Sequence, residues 1–257
     1  MKLCVLGSGS QGNSIVVSSG ETTLMVDIGF TCKQIVSRMA SSGLDPEDVS
    51  AVLFTHDHSD HFKGVKTFHK KYPDASLFAN GNTADSIASQ TGVEDWTIFE
   101  TAEEFQIGDF SVSPFSISHD AADPVGYFLH DGANSLFIGT DMGVVTFPVK
   151  DAFLRADIAI LESNHDPELL MMSDRAYSLK QRISGRSGHL ANRDAANLFR
   201  ETNPANLKAL FLAHLSSECN RPHLAMEEML EAIREHNRED INLHVLEQDV
   251  PSMIFEF

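Results

Sequence analysis

The segment Val52-Leu53-Phe54-Thr55-His56-Asp57-His58-Ser59-Asp60-His61 contains the strongest structural signal in the chain. It begins as an apolar run typical of a buried strand, and then five of the six residues from 56 to 61 are ionisable. Such a density of charge beside a core is unfavourable unless something binds it. Imidazole and carboxylate ligands suit zinc, iron or manganese, so this loop is predicted to hold up to two metal ions. The alternative, an exposed histidine-rich turn without function, fits the H-x-H-x-D-H spacing less well.

Apolar runs of strand length and amphipathic helical patterns alternate along the chain. Strands are predicted at residues 3–6, 14–17, 23–26, 51–54, 110–117, 126–129, 135–138, 158–161, 209–212 and 243–246. Helices are predicted at residues 32–41, 62–71, 83–90, 193–201 and 224–237. Strands and helices mixed in this way indicate a layered α/β fold. Without a linker, repeat or low-complexity segment, residues 1–257 are predicted to form a single domain.

The composition limits the class of protein. The chain has 257 residues, 42% of them hydrophobic, which is enough for a sizeable core. The cysteines Cys4, Cys32 and Cys219 lie far apart, so we expect neither disulfides nor a thiolate zinc site, and each is expected to be a small buried side chain. No targeting or membrane-spanning segment is visible, so a cytoplasmic location is expected. The net charge of −18 disfavours nucleic acid as a partner, unless metal ions reverse the sign inside a cleft.

The histidine motif resembles that of the metallo-β-lactamase superfamily, with His56, His58, Asp60 and His61 in the motif positions. The other residues of the family pattern also follow predicted strands, in the family order: Asp27, His119, Asp141 and His214. The resemblance implies an αββα four-layer sandwich. Each later residue, taken singly, could be a buried structural residue, but side chains at the ends of strands along one rim can meet at one site.

The resemblance also implies two divalent metal ions, with zinc the first choice and manganese or iron the alternatives. One metal would be held by His56, His58 and His119. The other would be held by Asp60, His61 and His214, and Asp141 would bridge the two. Asp27 would orient the histidine loop from behind.

Two further motifs resemble the branch of this superfamily that processes the three-prime end of tRNA. They are Glu162-Ser163-Asn164-His165-Asp166 and Gly188-His189-Leu190-Ala191-Asn192. The resemblance implies that Glu162 orients His189 as a general acid for the leaving oxygen, and with Asp60 these are the expected catalytic residues. The alternative is a structural ion pair beside a helix start.

Several polar residues are predicted to contact a phosphate. Neutral donors after two of the strands are expected to form a substrate-binding rim of Ser8, Ser10, Asn13, Asn164 and His165. A basic cluster suited to phosphate contact follows, made of Lys180, Arg182, Arg186 and Arg193.

Four of these motifs together resemble a narrower group, the YycJ/WalJ-type metallohydrolases. They are Ser8–Asn13, Glu162–Asp166, Gly188–Asn192 and Ala213–Pro222. The resemblance implies a DNA exonuclease that acts from the five-prime end of duplex DNA in repair or processing, with a hydroxide bridging the metals as nucleophile. One rival is a small-molecule hydrolase, such as a lactonase, thioesterase or cyclic-nucleotide phosphodiesterase. A third class, a redox or metal-binding module without hydrolase activity, would need a flavin domain or a carboxylate in place of a histidine. Neither feature is evident in the sequence.

Overall fold

The structure, a computed structural model, describes residues 1–257 and contains two seven-stranded sheets. The first sheet consists of β1 (Lys2–Gly7), β2 (Ser14–Ser19), β3 (Thr22–Val26), β4 (Ala51–Leu53), β5 (Ser76–Asn80), β6 (Thr97–Phe99) and β14 (Phe255–Glu256). The second consists of β7 (Phe105–Ile107), β8 (Phe110–Ser116), β9 (Val125–His130), β10 (Ser135–Gly139), β11 (Ile158–Glu162), β12 (Ala209–Ala213) and β13 (Asn242–Val245).

Each sheet is antiparallel on one side and parallel on the other. In the first sheet, with order β14-β1-β2-β3-β4-β5-β6, the pairs from β14 to β3 are antiparallel and those from β3 to β6 are parallel. In the second sheet, with order β13-β12-β11-β10-β9-β8-β7, the pairs from β7 to β10 are antiparallel and those from β10 to β13 are parallel. The carboxyl ends of β1, β3 and β4 therefore share one edge of the first sheet, and those of β8, β10, β11 and β12 share one edge of the second.

Nine α-helices connect the strands. They are α1 (Cys32–Ser41), α2 (Ser59–Phe62), α3 (Val65–Lys71), α4 (Gly81–Thr91), α5 (Phe147–Leu154), α6 (Pro167–Met172), α7 (Tyr177–Ile183), α8 (Asn192–Thr202) and α9 (Pro222–Glu235), with a 3-10 turn at Pro46–Asp48. The prediction of one helix from residue 62 to 71 was wrong, because the chain breaks between α2 and α3. Gly64 lies there against the backbone of Phe30, and its N–H donates to the Ile28 carbonyl oxygen at 2.9 Å.

The apolar residues of the strands pack on both faces of each sheet. In β1, Leu3 and Val5 belong to the cluster between the two sheets, while Cys4 and Leu6 pack under α1, α3 and α4. In the second sheet, Leu136 and Ile138 of β10 face the first sheet, and Phe137 packs with α5, α8 and α9. Because both faces are covered, these strands read as continuous apolar runs. The predicted αββα four-layer sandwich is confirmed.

Some strands and helices of the structure were not predicted from the sequence patterns. All ten predicted strands are present within a residue or two, but β5, β6, β7, β14 and the helices α5 to α7 were missed. The short edge strands β6, β7 and β14 have two or three residues each, too few for a periodic signal. The cysteines are buried and free, as expected. None of the helices combines the length and apolar character that crossing a membrane requires.

Candidate active site

The histidine loop leaves the carboxyl end of β4 and is fixed by backbone contacts with the loops after β1 and β3. Asn13 N–H donates to the Asp60 carbonyl oxygen at 2.9 Å, and Ile28 N–H donates to the His61 carbonyl oxygen at 2.7 Å. Gly29 lies so close beneath the loop that a Cβ there would stand 1.7 Å from the Asp60 carbonyl oxygen. Only glycine allows this approach, so the loop is held rigidly before any side chain is considered.

Three residues of the site have backbone conformations that are rare for anything but glycine. Asp27, Asp141 and His214 follow the ends of β3, β10 and β12 and have φ angles of 63°, 60° and 55°. Such a conformation costs on the order of 1–3 kcal/mol and persists only where its surroundings enforce it. Here it ends each strand sharply, and the side chains of Asp141 and His214 then meet, with Asp141 Oδ1 3.4 Å from His214 Nδ1.

His56, His58 and His119 form the first group of candidate ligands. One nitrogen of each ring is occupied by the protein: His56 Nδ1 lies 2.9 Å from Thr55 Oγ1, His58 Nε2 donates to the Asp120 carbonyl oxygen at 3.2 Å, and His119 Nδ1 donates to the Gly188 carbonyl oxygen at 3.0 Å. The other nitrogens converge, because the three residues offer ligand atoms within 4.8 Å of one another. These outer hydrogen bonds fix which nitrogen of each ring is available.

Asp60, His61 and His214 form the second group, whose ligand atoms also lie within 4.8 Å of one another. His61 Nδ1 is 2.7 Å from Asp27 Oδ2, and its Nε2 lies 3.7 Å from Asp60 Oδ2. His214 Nε2 lies 3.9 Å from the same Asp60 oxygen. Asp141 lies between the two groups, with Oδ2 3.3 Å from His61 Nε2 and Oδ1 4.0 Å from His119 Nε2.

Three buried atoms at the centre of these groups have no hydrogen-bond partner. They are His56 Nε2, His214 Nε2 and Asp141 Oδ2. Buried polar atoms are nearly always paired, so three unpaired atoms in one cluster need an explanation. Imidazole nitrogen and carboxylate oxygen are ligands of divalent metals such as zinc. The residues therefore fit divalent metal ions.

Glu162, the last residue of β11, is fully buried behind the second group. Its Oε1 accepts hydrogen bonds from His189 Nδ1 at 2.8 Å and from His214 Nδ1 at 3.1 Å. Its Oε2 accepts from the backbone N–H groups of Met142 at 2.6 Å and Leu190 at 3.2 Å. One carboxylate thus orients both a candidate ligand and a histidine outside the ligand groups.

Burial and the charges of the cluster shift the pKa values of its histidines in different directions. Burial alone would lower the pKa of His214, but the Asp141, Asp60 and Glu162 carboxylates raise it to about 10. Likewise burial lowers the pKa of His61, yet Asp27 and Asp141 raise it well above its ordinary value. Burial and the neighbouring histidines lower the pKa of His56 well below its usual range, and burial also lowers the pKa of His119. The carboxylates therefore favour the protonated forms of His61 and His214, whereas burial favours the neutral forms of His56 and His119.

The carboxylates themselves differ. Burial raises the pKa of Asp141, but His214 and His61 hold it well below its ordinary value. Burial also raises the pKa of Glu162, and the opposing effect of His189 lowers it overall. For Asp27, burial outweighs the opposing effects of His61 and Thr55, so its pKa is raised. Asp141 and Glu162 are thus held as anions at the centre of the cluster.

Comparison with known proteins gives a family. The family model of the β-lactamase superfamily domain matches residues 22–215. The exodeoxyribonuclease YycJ of Bacillus anthracis is 34% identical over 256 residues, which is 97% of each chain. The chain belongs to the metallo-β-lactamase superfamily. It is a metal-dependent hydrolase.

A second relative supports the assignment to the metallo-β-lactamase superfamily, and a solved structure shares the fold. The exodeoxyribonuclease WalJ of Streptococcus pneumoniae serotype 2 (strain D39) is 37% identical over 229 residues, 87% of this chain and 85% of the relative. Among solved structures, the metallo-β-lactamase fold protein YhfI from Bacillus subtilis matches with a TM-score of 0.74 and 15% identity, over 100% of this chain and 98% of that chain. This last likeness shows the fold alone.

The expected substrate-binding rim of this metallo-β-lactamase-fold chain needs a correction. Ser8 is buried and its Oγ accepts from His214 N–H at 2.9 Å. Asn13 is buried, and its amide nitrogen donates to the Gly9 carbonyl oxygen at 3.1 Å and lies 3.0 Å from His61 Nε2. Asn164 is buried and donates to the His214 carbonyl oxygen at 2.8 Å. These side chains support the ligand loops from within, because their hydrogen-bonding groups are occupied by the protein.

The other two rim residues differ from each other. His165 is 2% exposed, and burial lowers its pKa to about 4, so it lies in the interior as a neutral side chain. Ser10 is exposed and lies with Asp60 on the wall of a polar cavity of about 270 Å³. Of the five residues, Ser10 alone is open to solvent.

Two residues near the histidines were not predicted. Thr55 Oγ1 donates to Asp27 Oδ2 at 2.8 Å and also lies 3.2 Å from His61 Nδ1, so it links the buried aspartate to the loop. Asp120 follows His119, and its carboxylate binds Arg182 Nε at 2.6 Å. The hydroxyl directly before the histidine motif is the sequence signal that could have revealed Thr55. Nothing local in the sequence connects Asp120 with Arg182.

Proposed function

We propose that this hydrolase cleaves phosphodiester bonds of DNA, as an exonuclease that acts from the five-prime end, with two divalent metal ions at the site. The observation that carries the proposal is the contact between Glu162 and His189 beside the two ligand groups. A phosphodiester has a poor alkoxide leaving group, so its cleavage gains most from a positioned proton donor.

His189 has the position that such a donor needs. Its ring centroid lies 5.2 Å from that of His119 and 5.2 Å from that of His214, so it borders both ligand groups. Its Nδ1 is held by Glu162, which leaves Nε2 for the substrate, and the side chain is 21% exposed. Burial would lower the pKa of His189, but the Glu162 carboxylate raises it above its ordinary value. This favours the protonated form that a general acid requires.

His56, His58 and His119 would hold one metal ion and Asp60, His61 and His214 the other, with Asp141 between them. Two bound divalent ions lower the pKa of a water molecule and stabilise the attacking and leaving oxygens. The side chains behind the ligands fix their orientation, as Asp27 does for His61 and Glu162 for His214. Zinc is the first choice for both positions, and manganese or iron is the alternative.

DNA as the substrate is supported by the local charge around the site and by two relatives that are named exodeoxyribonucleases. The chain has 37 acidic and 19 basic residues, yet residues 61–73 contain four lysines and no carboxylate. Residues 175–193 contain five lysines and arginines and again no carboxylate. The first segment begins at His61 and the second contains His189, so both adjoin the site. Cations in these positions can bind the phosphates of a polyanion that the rest of the surface repels.

A neutral contact complements these cations. Ser10 and Ser59 line the polar cavity beside Asp60, together with Lys63. We propose that Ser10 donates a hydrogen bond to a substrate phosphate there. The resemblance to the YycJ/WalJ-type group supports attack from the five-prime end.

The direct test is one panel of substrates offered to the metal-loaded protein. It contains five-prime-phosphorylated duplex DNA labelled at either end, a cyclic nucleotide and a lactone. We expect mononucleotides to be released from the five-prime end, with the other substrates turned over far more slowly. Rapid hydrolysis of the lactone or the cyclic nucleotide with intact DNA would instead support the small-molecule hydrolase, which the net charge of −18 does not oppose.

We also propose that residues 1–257 act as one domain, because side chains of both sheets pack in a single cluster that includes Leu3, Leu24, Ile138 and Phe211. A cytoplasmic location stays a prediction from the sequence.

A further inference from the structure

The hairpin formed by α6 and α7, residues 167–183, exposes an unusual amount of apolar surface. Of the nine large hydrophobic side chains exposed in the chain, four lie between residues 171 and 179. Met172 is 81% exposed, Tyr177 66%, Met171 56% and Leu179 36%. Apolar side chains clustered on the surface in this way commonly mark a binding site.

The hairpin is anchored on the protein despite this exposure. Leu170 and Ile183 pack with Cys219 in a small buried cluster. Lys180 Nζ donates to the Met171 carbonyl oxygen at 2.7 Å, and Arg175 Nε binds Glu218 Oε2 at 2.8 Å. The exposed side chains are therefore presented on a fixed support.

The same hairpin is joined directly to the active site. Arg182 of α7 binds the Asp120 carboxylate, and the Asp120 carbonyl oxygen accepts from His58. Tyr177 lies five residues before Arg182, about 7–8 Å along the helix axis at 1.5 Å per residue. After α7, the Arg186 carbonyl oxygen accepts from Ser118 Oγ at 2.7 Å, beside His119.

The charge of residues 175–193 indicates which kind of ligand the hairpin binds. Residues 175–193 are basic and free of carboxylates in an acidic chain. Arg175 and Arg182 are paired with acidic side chains, whereas the exposed Arg186 forms no ion pair. A surface that combines exposed aromatic and sulfur-containing side chains with an unpaired arginine fits a ligand with flat apolar faces and an anionic backbone, which describes the end of a nucleic acid duplex.

We propose that the α6–α7 hairpin holds the end of a DNA duplex, with Tyr177 and Met172 packed against the terminal base pair and Arg186 on a backbone phosphate. This inference rests on the proposed exonuclease function. It explains how a cut at the end of a strand is favoured, because a base pair packed on the hairpin brings the terminal phosphodiester next to His58 and His119. Stacking on an aromatic ring accepts any base, so the contact would be insensitive to sequence.

The test compares two substrates for each metal-loaded variant: a blunt five-prime-phosphorylated duplex and bis(4-nitrophenyl) phosphate, which is too small to reach the hairpin. The quantity compared is kcat/KM on the duplex divided by kcat/KM on the ester. We expect Tyr177→Ala to lower this ratio about tenfold, an effect within the range reported for loss of one aromatic stacking partner. Tyr177→Phe should keep the wild-type ratio, because the ring remains.

Two further variants complete the test. Ile98→Ala is the matched control, since Ile98 is 51% exposed on the edge strand β6 of the first sheet and should leave the ratio unchanged. Arg186→Ala should reduce the slope of log KM against log salt concentration by about one, as for the loss of one phosphate contact. Its control is Arg234→Ala, because Arg234 is an exposed arginine without an ion pair in the last turn of α9.

Three results would overturn the inference. If Tyr177→Ala and Met172→Ser digest the duplex with the wild-type ratio, the hairpin does not contact DNA, and the exonuclease proposal stands. If Met172→Ser instead converts a dimer to a monomer at an unchanged ratio, the patch is a contact between copies of this chain. If the wild-type protein hydrolyses the ester and no DNA, the exonuclease proposal itself fails.

Discussion

Two buried carboxylates, one in each half of the molecule, hold the site from behind in different ways. Asp27, after β3, accepts from Thr55 N–H at 2.9 Å, from Thr55 Oγ1 at 2.8 Å and from His61 Nδ1 at 2.7 Å. All of these donors belong to one loop. Glu162, at the end of β11, accepts from Met142, His189, Leu190 and His214, which belong to three separate loops.

The difference separates two tasks. In the first half, the aspartate binds a loop whose functional side chains are all candidate metal ligands. In the second half, the glutamate binds the candidate ligand His214 and the proposed proton donor His189 with the same oxygen. In the proposed mechanism, metal binding and proton transfer are therefore coupled through Glu162 but not through Asp27.

The largest effect is expected for Asp141→Ala, and an equal one for His58→Ala. Asp141 lies between the two ligand groups and has a buried oxygen without a hydrogen-bond partner. We expect hydrolysis to be abolished in both variants while the fold remains, because these side chains lie at strand ends outside the core. Activity, far-ultraviolet circular dichroism and bound-metal counts check the result.

The matched control is His130→Ala, since His130 is exposed at the opposite end of the second sheet. It should keep full activity and metal content. Full activity in Asp141→Ala would contradict a site with two coupled metals.

The comparison itself is tested by Glu162→Gln and Asp27→Asn, which keep the shape of each side chain and remove its charge. We expect Asp27→Asn to weaken metal binding about 10–100-fold, the usual effect of losing a residue behind a metal ligand. Excess metal should then restore its kcat. Glu162→Gln should lower kcat about 10²–10⁴-fold even at saturating metal, because His189 loses its oriented proton. Equal recovery of both variants with added metal would show that the two carboxylates have the same task.

The smallest effect is expected far from the site, where a carboxylate is satisfied by the protein alone. Asp131, after β9, binds the amino terminus at 3.2 Å and accepts from Ser19 Oγ at 2.9 Å and from two backbone N–H groups. Although burial acts to raise it, these donors lower the pKa of Asp131 to about 2. We expect Asp131→Asn to lower Tm by about 2–4 °C at neutral pH, the shift that about 1 kcal/mol gives in a chain of this size.

The pH dependence gives this prediction its sign. A carboxylate whose pKa is lowered in the folded state stabilises the fold above its unfolded pKa, and the stabilisation is lost as pH falls. The difference in Tm between Asp131→Asn and the wild type should therefore be constant above about pH 4 and vanish towards about pH 2. A difference that persists at pH 2 would mean that the charge of Asp131 contributes nothing.

The same contrast between the halves explains what could be predicted from the sequence. The candidate ligands of the first half, from His56 to His61, lie in six consecutive residues, so their density alone predicts a metal site. Those of the second half, His119, Asp141 and His214, follow three different strands. The local sequence around each of them does not indicate a metal ligand. They were predicted as ligands only because they occur in the order of the family pattern.

Contacts that depend on packing could not be predicted in this way. The double role of Glu162 requires that β11 and β12 be neighbours, which the sequence does not state. The side chains of Ser8, Asn13 and Asn164 were expected at a rim because polar residues after strands are usually exposed. They are buried instead, because the backbone loops around His61 and His214 need hydrogen-bond partners. The exposed helices α6 and α7 lack a clear apolar face, so no periodic pattern revealed them.

The role of His189 as the proton donor is tested most directly by the activity of His189→Ala on two substrates that differ in their leaving group. With both metals retained, the account predicts a loss of about 10²–10⁴ in kcat on five-prime-phosphorylated duplex DNA, whose alkoxide needs a proton. On bis(4-nitrophenyl) phosphate, whose nitrophenolate leaves without one, the same variant should remain within a few-fold of wild type. Equal losses on the two substrates would contradict the role of His189 as the proton donor coupled to the metals through Glu162.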